Sequence, residues 1–378
     1  MTVYPEYPTR RQSEREVFTF YFFNFLKLIG KMKRIVKQVV GIDVAQQELV
    51  VCLGRMYDDW TPELYASKTF ANTANGFAAL TLWVKKLTEE SSPVRYVMEA
   101  TGVYHESLAY YLEGKGFEVS IVLPNKISNY FRTLEVKTIT DKTASETIAR
   151  FGLERKLDTW KRPAEIFRKL KQKTRERDQL VGERTLVKNQ LHAEQTEAYP
   201  DKESITRMKA RINLLNKQVM QIKEEMNALV KGDKEVKKSV EVISSAPGVG
   251  TLTAVTVLAE TNGFELIRNK RQLTSYAGFD VKEKLSGTSV KGKPRISKKG
   301  NRDLRKAMYM PALAAIRDDG RFKVLFTRLV SKHGIKMKAA VAVQRKLLEM
   351  IYTLYKTNTA FDKDYLKDEV MALSTQAA

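Results

Sequence analysis

The chain has 378 residues, enough for two or three domains that each bury a core of their own. Its 66 Lys and Arg against 44 Asp and Glu give a formal net charge of +22 and a pI of about 9.7, a balance that favours a polyanionic partner such as nucleic acid. A single cysteine, Cys52, excludes an intramolecular disulfide and fits a reducing compartment. With three scattered histidines (His105, His192, His333) it also excludes a zinc-finger ligand set.

The N-terminal stretch VFTFYFFNFLKLIG (17–30) is apolar, but Asn24 and Lys27 interrupt it and it is too short for a membrane span. No small-residue cleavage pattern follows it. Residues 1–35 are therefore expected to be a disordered extension, with Met32 as an alternative initiator and no membrane partner. From Val36 to Gly54, VKQVVGIDVAQQELVVCLG reads as two β-rich runs with a turn at Ala45 to Gln47, and a third strand follows around Leu64 to Phe70. A helical period over 72–88, a strand over 94–100, a helix ended by Gly114 and Gly116, and the strand FEVSIVLP then alternate. This alternation predicts an α/β domain over residues 36–160 that closes with the helix opening at Asp141.

The segment 161–238 differs in kind. Pro163 suits a first helical turn, and after YPDKES the apolar positions Ile205, Met208, Ile212, Leu215, Val219, Ile222, Met226 and Leu229 alternate steps of three and four through four heptads. An antiparallel coiled-coil hairpin is predicted, with a second subunit as a further partner for its surface. Residues 239–360 read as a compact, mostly helical domain, and 361–378 as a polar tail. Within the helical domain, PGVG at 247–250 ahead of an apolar helix resembles the turn of helix-hairpin-helix modules. There Gly248 and Gly250 would bring backbone amides to a DNA phosphate. A glycine-rich loop capping a core helix fits those four residues equally well.

Asp43 follows the apolar strand VVGI, and Glu99 ends the strand RYVM. Two carboxylates at strand ends and a third on a late helix make the donor set of a ribonuclease H-like nuclease, in which divalent ions stabilise the attacking and leaving oxygens of a phosphodiester. Singly, each acid has an ordinary reading: Asp43 as a turn former, Glu99 as a paired surface group, Asp141 as a helix cap.

Taken in order, GIDVAQQELVV, EATGVYHESLAYYLEGKGFEV, TDKTASETIARFGLE, the coiled coil, APGVGTLTAVTVLAE, SYAGFD, LSG and ISKKGNRDLRKAM resemble the RuvC-like DEDD insertion-sequence transposases related to the Piv invertase, a family of bridge-RNA-guided recombinases. The resemblance spans about residues 36–350. It implies an α/β plus α architecture: an N-terminal ribonuclease H-like (RuvC-like) domain, the coiled-coil hairpin, and a mostly helical C-terminal transposase domain. By the same resemblance Asp43, Glu99 and Asp141 are three acids that hold Mg²⁺. The fourth acid falls where this chain has Ala144, so cleavage is expected to be impaired. Glu146, five residues after Asp141, lies too far round the helix to replace it.

The SG pair maps the family's serine nucleophile to Ser286, with Ser289 and Ser297 close by as the alternatives that sequence alone leaves open. A covalent phosphoserine would conserve bond energy for rejoining strands. Between Lys282 and Lys306 there are ten Lys or Arg and two acids, and Lys291, Lys293, Arg295, Lys298, Lys299 and Arg302 are candidates for phosphate contact. The resemblance further implies double-stranded donor and target DNA, a structured noncoding guide RNA that chooses sequence by base pairing, and a homo-oligomer, dimer assembling to tetramer. The expected place is the cytoplasm of a bacterial or archaeal cell, at the nucleoid. Two other readings predict different products. A metal-dependent Holliday-junction-type nuclease gives nicks and no covalent adduct, and a non-catalytic nucleic-acid-binding protein gives no strand chemistry at all.

Overall fold

The computed structural model describes residues 33–363 except 91, 101, 135–137, 139, 266, 284, 287–289, 293 and 319. The chain divides into two compact units, Met1–Arg162 and Pro163–Ala378. No helix among the described residues is long and apolar enough to cross a membrane.

The first unit is built on a five-stranded sheet. Strand β1 (Ile35–Val44) runs antiparallel to β2 (Glu48–Tyr57), which pairs antiparallel with β3 (Pro62–Ala71). Helix α1 (Ala74–Leu87) leads to β4 (Val94–Glu99), helix α2 (Glu106–Gly114) to β5 (Glu118–Val122). Strands β1, β4 and β5 are mutually parallel in the order β3-β2-β1-β4-β5, which places β1 at the centre. Because it is covered on both faces, β1 reads as an almost continuous apolar run rather than an alternating one. Its even-numbered side chains Val40, Ile42 and Val44 pack with Phe77, Leu80 and Val84 of α1 and with Leu108 and Leu112 of α2. The opposite face takes α3 (Pro124–Phe131) and α4 (Asp141–Glu154) through Val39, Val97, Val122, Ile127, Tyr130, Ile148 and Phe151.

The second unit opens with helices α5 (Glu165–Thr196) and α6 (Lys202–Gly232), packed on each other as a hairpin. Ile212, Leu215, Val219, Ile222 and Met226 are buried along α6 as the heptad period requires, and at its end Val230 is buried in place of the half-exposed Leu229. On α5 only Leu170, Thr174 and Val187 are buried, in keeping with its irregular pattern. Away from the turn, Leu170, Ile222, Met226 and Val230 belong to the core of the C-terminal helices, whereas Val187, Ile212 and Leu215 form a small separate cluster.

That core is shared by α7 (Lys234–Ser244), α8 (Thr251–Thr261), α9 (Lys270–Ala277), α10 (Arg302–Ala307), α11 (Tyr309–Asp318), α12 (Gly320–His333) and α13 (Lys336–Thr357). One element was not expected from sequence. Between α9 and α10 the chain forms a β-hairpin in two steps: β6 (Val281–Lys282) pairs with β9 (Arg295–Ile296), and β7 (Leu285–Ser286) pairs with β8 (Val290–Lys291). Of the extension predicted over 1–35 and the tail predicted over 361–378, residues 1–32 and 364–378 lie outside the described residues, and Ile35 already belongs to β1.

Candidate functional site: carboxylates at the sheet end and a serine on a hairpin

Strand register brings the first two acids together. Ile42 on β1 is paired in parallel with Met98 on β4, so the next residue of each strand, Asp43 and Glu99, stands beside the other on the same face. That face is the one covered by α4, and glycines set the approach. A Cβ on Gly41 would lie 2.3 Å from Ala149 N and 2.4 Å from Ser145 O, and one on Gly152 would lie 2.7 Å from Val39 Cγ1. Helix α4 therefore runs antiparallel across β1, with Gly152 over Val39 and Ser145 and Ala149 over Gly41. Two residues further along the strand the face belongs to Asp43. About one turn further toward its N-terminus the helix reaches Asp141, since two strand residues and one helical turn cover similar lengths, about 6–7 Å.

Asp141 does not cap this helix. The N-cap is Thr140, whose hydroxyl accepts from the Thr143 backbone N–H at 3.2 Å while the Thr143 hydroxyl accepts from the Thr140 N–H at 2.8 Å. The Asp141 carboxylate is thus free of the capping duty that sequence allowed for it.

Electrostatics agree with this proximity. Burial first, and the Asp141 carboxylate second, raise the Asp43 pKa above its ordinary value. A hydrogen bond from the Val44 backbone N–H draws it partly back. Glu99 is raised by burial and then by the charge of Asp43. Ala144 lies on the stripe Asp141–Ala144–Ile148–Phe151, whose Phe151 packs edge-on against Tyr130 of α3. A side chain at 144 therefore stands on the Glu99 side of the helix. Glu146 lies on the other flank. Its charge acts on Cys52, which is paired with Gly41 across from β4, and burial followed by Glu146 pushes that thiol up to about 12.

The serine loop is ordered from its base. Ser297 Oγ donates to Asp280 Oδ1 at 2.6 Å and accepts from Lys299 N at 3.2 Å, and Ser297 N donates to Asp280 O at 2.8 Å. Ser297 is committed to closing the hairpin. Ser286 lies at the far end, where its backbone pairs with Val290 across the tip. Ser289 and Lys293 lie outside the described residues, as do the side chains of Ser286 and Lys291. Arg295, Lys298 and Lys299 are exposed at or next to the base, and Arg302 begins α10. The two glycines of the PGVG turn do different work. Gly248 has φ +73°, and a Cβ there would meet Pro311 O of α11 at 2.4 Å, so it serves packing. Gly250 has open space around it and precedes the first turn of α8, which has no side-chain cap.

A family model of DEDD transposases of the IS110 type matches residues 40–200, and one described as transposase of the IS116/IS110/IS902 family matches residues 240–326. The chain carries both domains of an IS110-family transposase. It is similar to the pilin gene-inverting protein of Moraxella lacunata, at 29% identity over 86% of this chain and 98% of that one. It is also similar to the transposase for insertion sequence element IS1111A of Coxiella burnetii, at 21% identity over 87% and 93%. A likeness to Thermus thermophilus RuvC in complex with a Holliday junction substrate covers 32% of this chain and 99% of that one, with 9% identity and a TM-score of 0.26.

The acids make an oxygen-only donor set, which suits a hard divalent cation. They do not form a closed cage. Among the described residues, no three His, Cys, Asp or Glu side chains are gathered closely enough to hold a metal ion as they stand. The oxygen donors on offer are Asp43 and Glu99, side by side at the strand ends, with the charge of Asp141 acting on Asp43. Sequence reasoning passed over two residues that build the site. Gly41 was detectable, because a glycine inside an apolar strand marks a close backbone approach. Asn72 gave no signal: its side-chain amide donates to Ala45 O at 2.9 Å and Tyr104 O at 3.2 Å, tying the turn after Asp43 to the loop after Glu99.

Proposed function

We propose that the chain is an RNA-guided DNA recombinase that cuts and rejoins double-stranded donor and target DNA with two catalytic parts, the carboxylates Asp43, Glu99 and Asp141 and the nucleophile Ser286. The observation that supports this reading is the register of β1 and β4, which sets Asp43 beside Glu99, together with the Asp141 charge that acts on Asp43. Mg²⁺ held by those acids would polarise the phosphodiester and stabilise the departing oxygen. The chain's own carboxylates bind and orient; Asp43 and Glu99 have pKa values raised by burial first and by a neighbouring carboxylate second, and a cation would relieve that repulsion. At Ser286 the hydroxyl oxygen forms an ester bond to phosphorus as the bond to the departing strand breaks, and that strand's oxygen takes up a proton. Attack by the hydroxyl of a second strand reverses the exchange and frees the serine, so the number of ester bonds is conserved.

The net charge of +22 and the exposed Arg295, Lys298 and Lys299 support contact with duplex phosphates and with a structured guide RNA. Base pairing would then choose the sequence. The α5–α6 hairpin supports assembly of a dimer and then a tetramer that brings half-sites together. Ala144 leaves the acid set one ligand short on its Glu99 flank, so this chain cuts slowly.

The test combines the chain, or Ala144→Asp, with its element's RNA, Mg²⁺ and both duplexes. Recombinant product and a protein–DNA adduct are expected with Ala144→Asp and lost when Ser286→Ala is added. Nicks without an adduct would instead identify a junction nuclease, and binding without strand chemistry in either chain a passive binder.

A further inference from the structure

Glu260, near the end of α8, is a carboxylate 2% exposed in the core of the second unit. Arg175 of α5 meets it with two parallel hydrogen bonds, Nε to Oε1 at 2.9 Å and Nη2 to Oε2 at 3.1 Å. Asn301 donates its side-chain amide to Oε2 at 2.7 Å, and Lys171 of α5 stands 3.7 Å away. Burial pushes the Glu260 pKa up, but the hydrogen bonds from Arg175 and Asn301 and the charge of Lys171 outweigh it and hold the group below the usual carboxylate range.

The network continues into the hairpin that carries Ser286. Tyr276 Oη donates to Glu260 O at 2.8 Å, and Asn301 N donates to Tyr276 O at 2.8 Å. A Cβ on Gly300 would lie 2.4 Å from Tyr276 O, and one on Gly278 would lie 3.1 Å from Lys298 C, so the segments SYAGFD and ISKKGN are locked against each other. These segments flank β6 and β9. A buried ion pair seldom outperforms apolar packing in stability; what it gives is one defined arrangement of the elements it joins. Here those elements are the coiled-coil helix, α8 and both ends of the hairpin.

We propose that Glu260 is a positioning residue, which through Arg175 and Asn301 fixes the base of the Ser286 hairpin to the coiled-coil helix α5. Its catalytic consequence rests on the reading of Ser286 as the nucleophile, while its structural content does not. The base of the serine hairpin is thus tied to a helix of the coiled-coil hairpin, the element proposed above to bring copies together.

The test is hydrogen exchange on the full chain. Asn301→Asp keeps the oxygen that caps α10, where Asn301 Oδ1 accepts from Leu304 N at 2.9 Å, but replaces the amide donor with a carboxylate facing Glu260. Exchange of the amides that close the base, Ser297 and Lys298 among them, should quicken by about tenfold, with α8 and α13 core amides changed by less than about twofold. Glu260→Gln and Arg175→Met should give the same local pattern. In Ala144→Asp chains the same substitutions should slow adduct formation by about tenfold, with duplex affinity held within about twofold. Unchanged exchange at the hairpin base, exchange raised equally through α8, α10 and α13, or a loosened base with undiminished adduct formation would each overturn the proposal. If no chain forms an adduct, the nucleophile assignment falls by itself and the exchange pattern still decides the positioning.

Discussion

Gly41→Ala tests the register on which the acid site depends. The new methyl carbon would start 2.3 Å from Ala149 N and 2.4 Å from Ser145 O, both backbone atoms that no rotamer change can move. Ordinary contact requires about 3.4 Å or more, so α4 has to lift from β1 by roughly 1 Å. Overpacking of this kind costs about 3 kcal/mol, which for a unit of this size lowers the melting temperature by about 10 °C. The backbone at Gly41 is extended, so the loss comes from the clash and not from strain. Because the same helix carries Asp141, lifting it also weakens the repulsion between Asp141 and Asp43, and the Asp43 pKa should fall. Calorimetry gives the first quantity, and the titration of an isotope-labelled Asp43 carboxyl gives the second. A Gly41→Ala chain that melts with the parent and keeps the raised Asp43 pKa would refute the packing of α4 over Gly41 and the placement of Asp141 derived from it. Gly182→Ala provides the contrast: with nothing within 4 Å of the added carbon in mid-helix, it should stabilise by up to about 1 kcal/mol.

Asp43 is raised in the folded chain above its ordinary 3.8, so the native state holds that proton more tightly and stability declines as pH rises from the ordinary value through the raised one. In chelator at pH 7, Asp43→Asn should therefore raise the melting temperature, and this gain should vanish below about pH 4, where both forms are neutral. Ala144→Asp adds a fourth carboxylate on the Glu99 side. It should lower the melting temperature without metal and tighten Mg²⁺ binding by about tenfold or more, as calorimetric titration would read. Ser297→Ala removes the bond to Asp280 and should cost about 1 kcal/mol in the second unit; an adduct should still form, on Ser286, but more slowly because the hairpin base is loosened.

The sheet was legible because its signals are local. Alternation and apolar runs give β1, β2, β4 and β5 nearly to the residue, and the heptads of α6 give its buried stripe. Helix α3 gave no signal in the sequence, since its eight residues bury only Ile127 and Tyr130 and carry no long period. The Ser286 hairpin was missed for a similar reason: its strands are two residues long, and it is held at the base by Ser297, Asp280 and the glycine locks rather than by an alternating face. The candidate acids could be proposed from sequence, but the face that Asp43 and Glu99 share could not. That depends on a parallel register between residues more than fifty positions apart.

Cys52 has a use at the bench. It is the only cysteine in the sequence, it is buried beneath α4, and its thiol titrates at about 12, so under ordinary labelling conditions it is almost wholly the unreactive thiol. Any cysteine introduced at an exposed position of the hairpin base or the coiled coil would be the single reactive thiol of the molecule. Spectroscopic probes and cross-linkers could be attached there without first removing a native residue.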